Sequence, residues 1–196
     1  MQYPSHLLKL SSLLQRFPGV GAKSAERFAF NLLEWPEDQQ KQLAEAILSM
    51  KSEIQFCSDC GCLQNKGSCF FCNDPAREKR FLCLVAHAKD VFSFESTGSY
   101  RGLYHVLGGL ISSLDDQDNI DIAKLLERIE KNQVEEVIIA LDSTVEGDAT
   151  SLYLKKILSE REIKTSRIAF GIPVGSALEF IDETTLSQAL SARRFF

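Results

Sequence analysis

The sequence predicts a multi-domain chain of the α/β class, α+β in overall arrangement. Helices come first, then a small cysteine-rich module, then a mostly parallel sheet with flanking helices and a short C-terminal segment. Three observations carry this. Apolar residues recur at three- and four-residue spacing as far as about Ile54, the pattern of amphipathic helices. Two Cys-x-x-Cys pairs stand between Cys57 and Cys72. From Arg80 onward short apolar runs alternate with helical patterns, as in parallel sheets joined by crossover helices.

The first helical stretch carries Leu7, Leu10, Leu13, Leu14 and Phe17 on one face. Pro18-Gly19-Val20-Gly21 interrupts it, and Ala25, Phe28, Ala29 and Leu32 resume the period in a second helix. Trp35-Pro36 closes that helix. Pro36 suits the first turn of a third, where Glu37 and Asp38 complement the positive end of the helix dipole. The third helix is expected to reach about Ser52, within a helical domain over residues 1–55. Residues 56–79 are rich in Cys, Gly, Asn and Ser and cannot build a core alone. Over residues 80–170 strands are expected at Phe81 to Ala86, Tyr104 to Leu107, Val134 to Leu141 and Ile163 to Ala169. Helices are expected between them at Ala88 to Ser96, Ile120 to Lys131 and Ala149 to Ser159. Residues 171–196 combine a turn-rich start with a helix at Glu183 to Ala192.

Composition narrows the function. The 196 residues are 44% hydrophobic and 25% charged, which excludes collagen and disordered filaments. No apolar run approaches the ~18 residues of a membrane span, and Met1 to Lys9 lacks the features of a signal peptide. A cytoplasmic location is expected. The net charge of −5 disfavours indiscriminate polyanion binding. Residues 1–80 nevertheless hold ten Lys/Arg against nine Asp/Glu, and residues 81–196 twelve against eighteen. Nucleic-acid contacts are therefore expected from local basic groups in the N-terminal part.

In a reducing compartment clustered cysteines point to metal, not disulfides. Cys57-x-x-Cys60 and Cys69-x-x-Cys72 form two knuckles separated by eight residues, and two facing knuckles make a tetrahedral zinc site. Cys62 breaks the knuckle spacing and is left out; Cys83 sits in an apolar run and reads as core. Four protein ligands leave no place for water, so one structural zinc per chain is expected. Its binding would contribute on the order of 10–16 kcal/mol to folding.

Between the first two helices, Gly19 and Gly21 are expected to allow φ values that other residues avoid and to expose bare backbone. The amides then lie at the start of the second helix, where an anion is favoured. Lys23 and Arg27 follow on one face, a turn apart. This resembles the helix–hairpin–helix motif, which grips DNA phosphates without reading bases. A plain helical connection or a dimer contact is the competing reading of the same residues.

Asp142-Ser143-Thr144-Val145-Glu146-Gly147-Asp148 leaves the best strand of the chain, where α/β sheets bind ligands. Asp142 and Glu146 are a pair that could hold magnesium. The arrangement resembles a Toprim domain, which ends its first strand in glutamate and follows a later one with Asp-x-Asp. Here Ala86 stands at the glutamate's place and Thr144 at the second aspartate's. One carboxylate of three remains, so the fold is expected without its chemistry.

Hairpin, four-cysteine finger, degenerate Toprim and short C-terminal segment, in this order, resemble the bacterial recombination mediator family RecR over essentially the whole chain. Specific strings include Arg16-Phe17-Pro18-Gly19-Val20-Gly21, Thr97-Gly98-Ser99-Tyr100-Arg101-Gly102, Thr144-Val145-Glu146-Gly147-Asp148 and Gly171-Ile172-Pro173-Val174-Gly175. The resemblance implies a DNA-repair factor without enzymatic activity, assembled as a ring-shaped tetramer through the hairpin regions and through the Toprim and C-terminal oligomerisation segments. It implies work with RecO, and often RecF, to load RecA onto single strands, on single-stranded, double-stranded or gapped DNA at the nucleoid. Carried over, Gly19, Gly21, Lys23 and Arg27 face DNA, and Cys57, Cys60, Cys69 and Cys72 hold zinc. Asp142, Glu146 and Asp148 offer a partner surface. Ala86, His87, Asp142-Ser143 and Phe170 depart from the family's usual residues. Two other readings compete: a magnesium-dependent Toprim nuclease or phosphotransferase, and a zinc-stabilised scaffold that binds only protein.

Overall fold

The computed structural model describes residues 3–112, 120–169 and 171–193. Phe170 lies outside them. The chain divides into two compact units, one ending at Glu53 and the other beginning at Ile54. Among the described residues no helix is long and apolar enough to cross a membrane.

The first unit is three helices, α1 (Ser5–Leu14), α2 (Ala22–Glu34) and α3 (Glu37–Glu53). α1 and α2 pack together, and Ala25 and Ala29 on α2 are fully buried. Tyr3 lies edge-on to Phe30 with ring centres 5.6 Å apart. At the corner before α3, Trp35 Nε1 donates to Asn31 Oδ1 (3.1 Å), and Gln40 Nε2 reaches back to the Leu32 carbonyl (2.7 Å). No other described residue of this unit is buried.

The second unit opens with a short antiparallel hairpin, β1 (Ile54–Phe56) and β2 (Leu63–Asn65). A four-stranded sheet follows, built from β3 (Glu78–Val85), β4 (Gly102–Val106), β5 (Glu136–Ala140) and β6 (Lys164–Arg167) in the order β4-β3-β5-β6. All three pairings are parallel. The connecting helices are α4 (Ala88–Ser96), α5 (Ile122–Asn132) and α6 (Val145–Ser159), and α7 (Glu183–Ser191) lies near the C-terminus. β3 starts three residues earlier than its apolar run, because exposed Glu78 pairs with Gly102 and the Arg80 carbonyl accepts from the Glu135 amide, neither adding to the core. The hairpin β1–β2 carries no periodicity long enough to be read from sequence.

Strand alternation sends side chains to two faces. Leu82, Leu84, Leu103, Val137 and Ile139 meet Leu125 and Ile129 of α5 and Leu154 and Leu158 of α6. On the other side Cys83, Val85, Tyr104 and Ala140 meet Val91 of α4 and the cysteine segment, through Cys57, Cys60, Cys62, Cys69 and Phe71.

α6 begins at Val145, four residues before the expected start, because Thr144 caps it: its Oγ1 accepts from the Gly147 amide at 3.1 Å. Gly147 is required there, since a Cβ would lie 2.0 Å from the Asp142 carbonyl oxygen. Glu146 and Asp148 therefore sit in the first helical turn, where the dipole favours them.

Arg77 closes the seam between the cysteine segment and the sheet. Its side chain is 8% exposed. It donates to Glu95 Oε2 (2.6 Å) and the Gly102 carbonyl (2.9 Å), while the Tyr104 hydroxyl donates to Glu95 Oε1 (2.7 Å). The guanidinium also stacks over Phe71 and Tyr104. Burial pulls the Glu95 carboxyl up, but the bonds from Arg77 and Tyr104 outweigh it and hold the pKa below the usual value. A carboxyl depressed in the folded state stabilises fully above its unfolded pKa and loses that contribution as pH falls through the folded one. Glu95 keeps 29% of its side chain exposed. Arg77→Met is accordingly expected to cost about 2 kcal/mol in urea titrations at neutral pH, less than a fully buried pair would. Glu95→Gln is expected to flatten the acid limb of the stability profile.

Candidate metal centre and nucleic-acid interface

Between β1 and β2 the chain turns tightly: the Cys57 amide donates to the Cys62 carbonyl (2.8 Å) and the Gly61 amide to the Cys57 carbonyl (2.9 Å). Gly61 has φ +73, and a Cβ there would approach Val106 Cβ to 3.0 Å. The absent side chain lets the knuckle lie on β4, where the Val106 amide donates to the Cys60 carbonyl at 2.8 Å.

Cys57, Cys60, Cys69 and Cys72 converge, with all four Sγ atoms within 4.8 Å of one another. The Cys57 and Cys72 sulfurs are 3.9 Å apart, and those of Cys60 and Cys69 3.6 Å. Tetrahedral zinc with bonds of about 2.3 Å places its sulfurs about 3.8 Å apart, so the quartet fits one ion. The amides of Cys62 and Cys72 point at the Cys60 and Cys69 sulfurs (3.5 and 3.4 Å), an arrangement that stabilises thiolate. Cys62 is buried but lies outside the quartet. In the bare site the Cys60 thiol is pushed up chiefly by its bond with Cys62, and Cys72 by its bond with Cys60 and by burial, while Arg128 pulls Cys72 down. A cation must displace these protons, so its affinity falls with pH.

Arg128 is the residue that motif spacing missed. It donates from Nη2 to Cys72 Sγ at 3.3 Å. Its signal was a charge inside the apolar stripe of α5, beside Leu125 and Ile129.

At the α1–α2 hairpin, Gly19 has φ +79, but Gly21 has φ −79 and ψ 172, extended backbone that any residue adopts. The expectation of special φ values holds for Gly19 alone. A Cβ at Gly21 would meet nothing within 4 Å, so neither the backbone angle nor lack of room requires glycine there. Gly21 is the N-cap of α2 and offers no side chain to the first-turn amides. The first helical donor satisfied within the backbone is Ala25, bonded to the Gly21 carbonyl at 3.0 Å. The first turn carries no acidic residue. Lys23 and Arg27 are exposed along the same helix and share a shallow cleft with Glu26, Phe30 and Asn31. Neither forms an ion pair among the described residues. An uncapped helix end flanked by unpaired cations is suited to a phosphate.

In the sheet, order reverses between β3 and β5, the place where such folds open a crevice at the carboxyl ends of strands. β3 runs out there into Ala86-His87, and β5 into Leu141-Asp142. Ala86 is buried in the core with Leu84 and Leu107. Asp142 and Glu146 are exposed, whereas Asp148 is half-buried and pairs with Arg167 of β6. Among the described residues the four cysteines form the one group of three or more His, Cys, Asp or Glu side chains close enough for a shared ion.

Three family models match the chain: RecR helix-hairpin-helix over residues 7–51, Toprim domain over 80–169, and RecR C-terminal over 171–194. Curated relatives named recombination protein RecR span the full length. The one from Protochlamydia amoebophila is 50% identical and covers 100% of both chains. Those from Bifidobacterium longum subsp. infantis and Moorella thermoacetica are 45% and 43% identical, covering 99% and 98% of this chain and 98% of their own.

Cys60→Ser and Cys69→Ser are each expected to abolish uptake of one equivalent of Zn²⁺ or Co²⁺ and to lower the thermal midpoint. Cys62→Ala is expected to keep uptake intact. Metal analysis beside thermal unfolding reads both.

Proposed function

The chain belongs to the RecR family of recombination proteins, and from that premise we propose that it is a non-catalytic mediator of recombinational DNA repair in the bacterial cytoplasm. It closes as a tetrameric clamp on DNA at the nucleoid and acts with RecO, and with RecF where present, to load RecA onto single strands at gaps. Gly19, Gly21, Lys23 and Arg27 contact phosphates, and Cys57, Cys60, Cys69 and Cys72 hold one structural zinc. Asp142 and Glu146 offer exposed charge to a partner, with Asp148 held back by Arg167. The functional parts divide as a helix–hairpin–helix domain (1–55), a four-cysteine finger (56–79), a Toprim domain (80–170) and a C-terminal oligomerisation segment (171–196).

The observation that carries the DNA reading is the uncapped, acid-free start of α2 beside two unpaired cations, in a chain whose overall charge is −5. Contacts must then be local, and such contacts are backbone contacts that ignore base identity. Exposed apolar surface supports assembly. In the first unit a cleft of about 700 Å³ is lined by Leu7, Leu10, Phe30, Leu33, Leu43 and Ile47. In the second unit Val174, Leu178, Phe180 and Leu190 are exposed. Two separate apolar surfaces on one chain suit two self-complementary interfaces, and two such interfaces close a tetramer. The magnesium-dependent reading needs a carboxylate where buried Ala86 stands, and no observation favours it.

Binding to gapped duplex across a salt series tests the DNA reading. Lys23→Ala/Arg27→Ala is expected to weaken binding and to flatten the slope of log K against log salt by about 2 per protomer engaged, at ~0.9 per phosphate. Binding that ignores the double substitution would move the DNA site away from the hairpin. Leu33→Glu and Phe180→Glu are each expected to convert tetramer to dimer in sedimentation, and the pair together to give monomer.

A further inference from the structure

Arg128 is an unusual residue for its position. It lies on the buried face of α5 and is 6% exposed, yet no carboxylate pairs with it among the described residues. Its Nε has no hydrogen-bond partner, and Nη2 donates to the Cys72 sulfur at 3.3 Å. A guanidinium cannot shed its charge, and an unpaired buried charge is strongly disfavoured. The countercharge must come from the cysteines. Four thiolates around a divalent cation sum to −2, and one arginine halves that excess. Cys72 is also the least buried of the four ligands. Arg128 itself lines a cleft of about 400 Å³, together with Ser58, Asp59, Lys124, Glu127 and Lys131.

Resting on the zinc reading above, we propose that Arg128 is the positioning residue of the metal centre. Its guanidinium neutralises the tetrathiolate, holds the Cys72 sulfur in place, and shields it from competitors entering by the cleft. The same contact ties the metal to α5, which packs on the sheet through Leu125 and Ile129. Lys131, one turn on, makes a different contact: its ion pair with Asp59 (3.5 Å) is exposed on both sides and touches no sulfur.

The test uses the full chain loaded with zinc, and separately with Co²⁺, as native protein, Arg128→Met, Arg128→Lys and the control Lys131→Met. Zinc transfer to excess chromogenic chelator is expected to be roughly 10–100-fold faster in Arg128→Met. The sulfur-to-cobalt charge-transfer band is expected to move to lower energy, because an unneutralised thiolate gives up electron density more readily. Arg128→Lys should restore part of both effects, and Lys131→Met should match the native chain. A merely structural arginine would leave the cobalt band in place. Native release rates and an unshifted band in metal-loaded Arg128→Met overturn the proposal. Should that variant fail to fold, Arg128→Gln removes the charge while keeping a polar, shorter side chain with an amide donor, and a native release rate there overturns it equally. A native chain that holds no metal would sink the zinc reading, and this proposal with it; a metal-loaded native chain beside an unchanged variant sinks the arginine's role alone.

Discussion

The sheet of the second unit has two faces to bury, and α5 and α6 cover only one of them. On the other, α4 brings Val91 against the sheet, and most of the remaining closure comes from the cysteine segment: Cys57, Cys60, Cys62, Cys69 and Phe71 join Cys83, Val85 and Tyr104 in one cluster. The proposed metal ligands are thus also core residues. A cysteine is small and apolar enough for that duty only while its thiol is protonated or its thiolate is neutralised. Without a cation the first condition holds, and burial together with shared hydrogen bonds keeps Cys60 and Cys72 protonated. With a cation the second holds. The packing of the sheet and the chemistry of the finger are therefore one problem, which Arg77 and Arg128 reinforce from its two ends.

The first unit faces the opposite difficulty. Its helices are amphipathic, yet α1 and α3 bury no residue fully and α2 buries only two alanines. Leu33, Ile47 and Leu48 are each more than half exposed. Three helices of this length cannot enclose a core when their apolar side chains point into an open cleft. Hydrophobic burial is the principal driving force of folding and association, and the first unit leaves much of its apolar surface unburied. The same fold leaves the start of α2 polar and open at the hairpin. In the reading proposed above, a partner would use the apolar cleft and a phosphate the start of α2, with Phe30 lining both the apolar cleft and the one beside Lys23 and Arg27.

Much of this was legible in the residues. Period 3.6 through Leu7 to Leu32, and the breaks at Pro18 and Pro36, located all three N-terminal helices. The alternation after Arg80 located every strand of the parallel sheet. The errors have physical causes. Glu78 and Arg80 join the sheet through backbone bonds and are exposed, so no apolar pattern betrays them. Thr144 caps α6 with an acidic first turn, and acidic residues at a strand exit read equally well as a ligand loop. Gly21 was credited with a backbone freedom that only Gly19 uses, because a glycine's φ is not written in its sequence: Gly21 is extended, with room for a Cβ. The β1–β2 strands are three residues each, too short to show a period, and the Arg128–Cys72 contact joins residues 56 apart in sequence, beyond any local pattern.

The acidic string after β5 is where fold and chemistry part. A Toprim metal site needs carboxylates from two strand ends to converge on the crevice between β3 and β5. At β3 the chain presents Ala86, which points into the core with Leu84 and Leu107, so that side contributes no charge. At β5 the cap at Thr144 and the close approach of Gly147 to the Asp142 carbonyl wind the chain directly into α6. That geometry spends Asp148 on Arg167 and leaves Asp142 and Glu146 exposed. Two exposed carboxylates at a positive helix end are stable without a cation. They remain fully solvated, free to meet a basic surface at little desolvation cost. With Ala86 at the end of β3 and Thr144 beyond β5, two of the three carboxylates of a Toprim site are replaced while the sheet itself is preserved. The exposed charge of Asp142 and Glu146 is what the proposed partner surface would use.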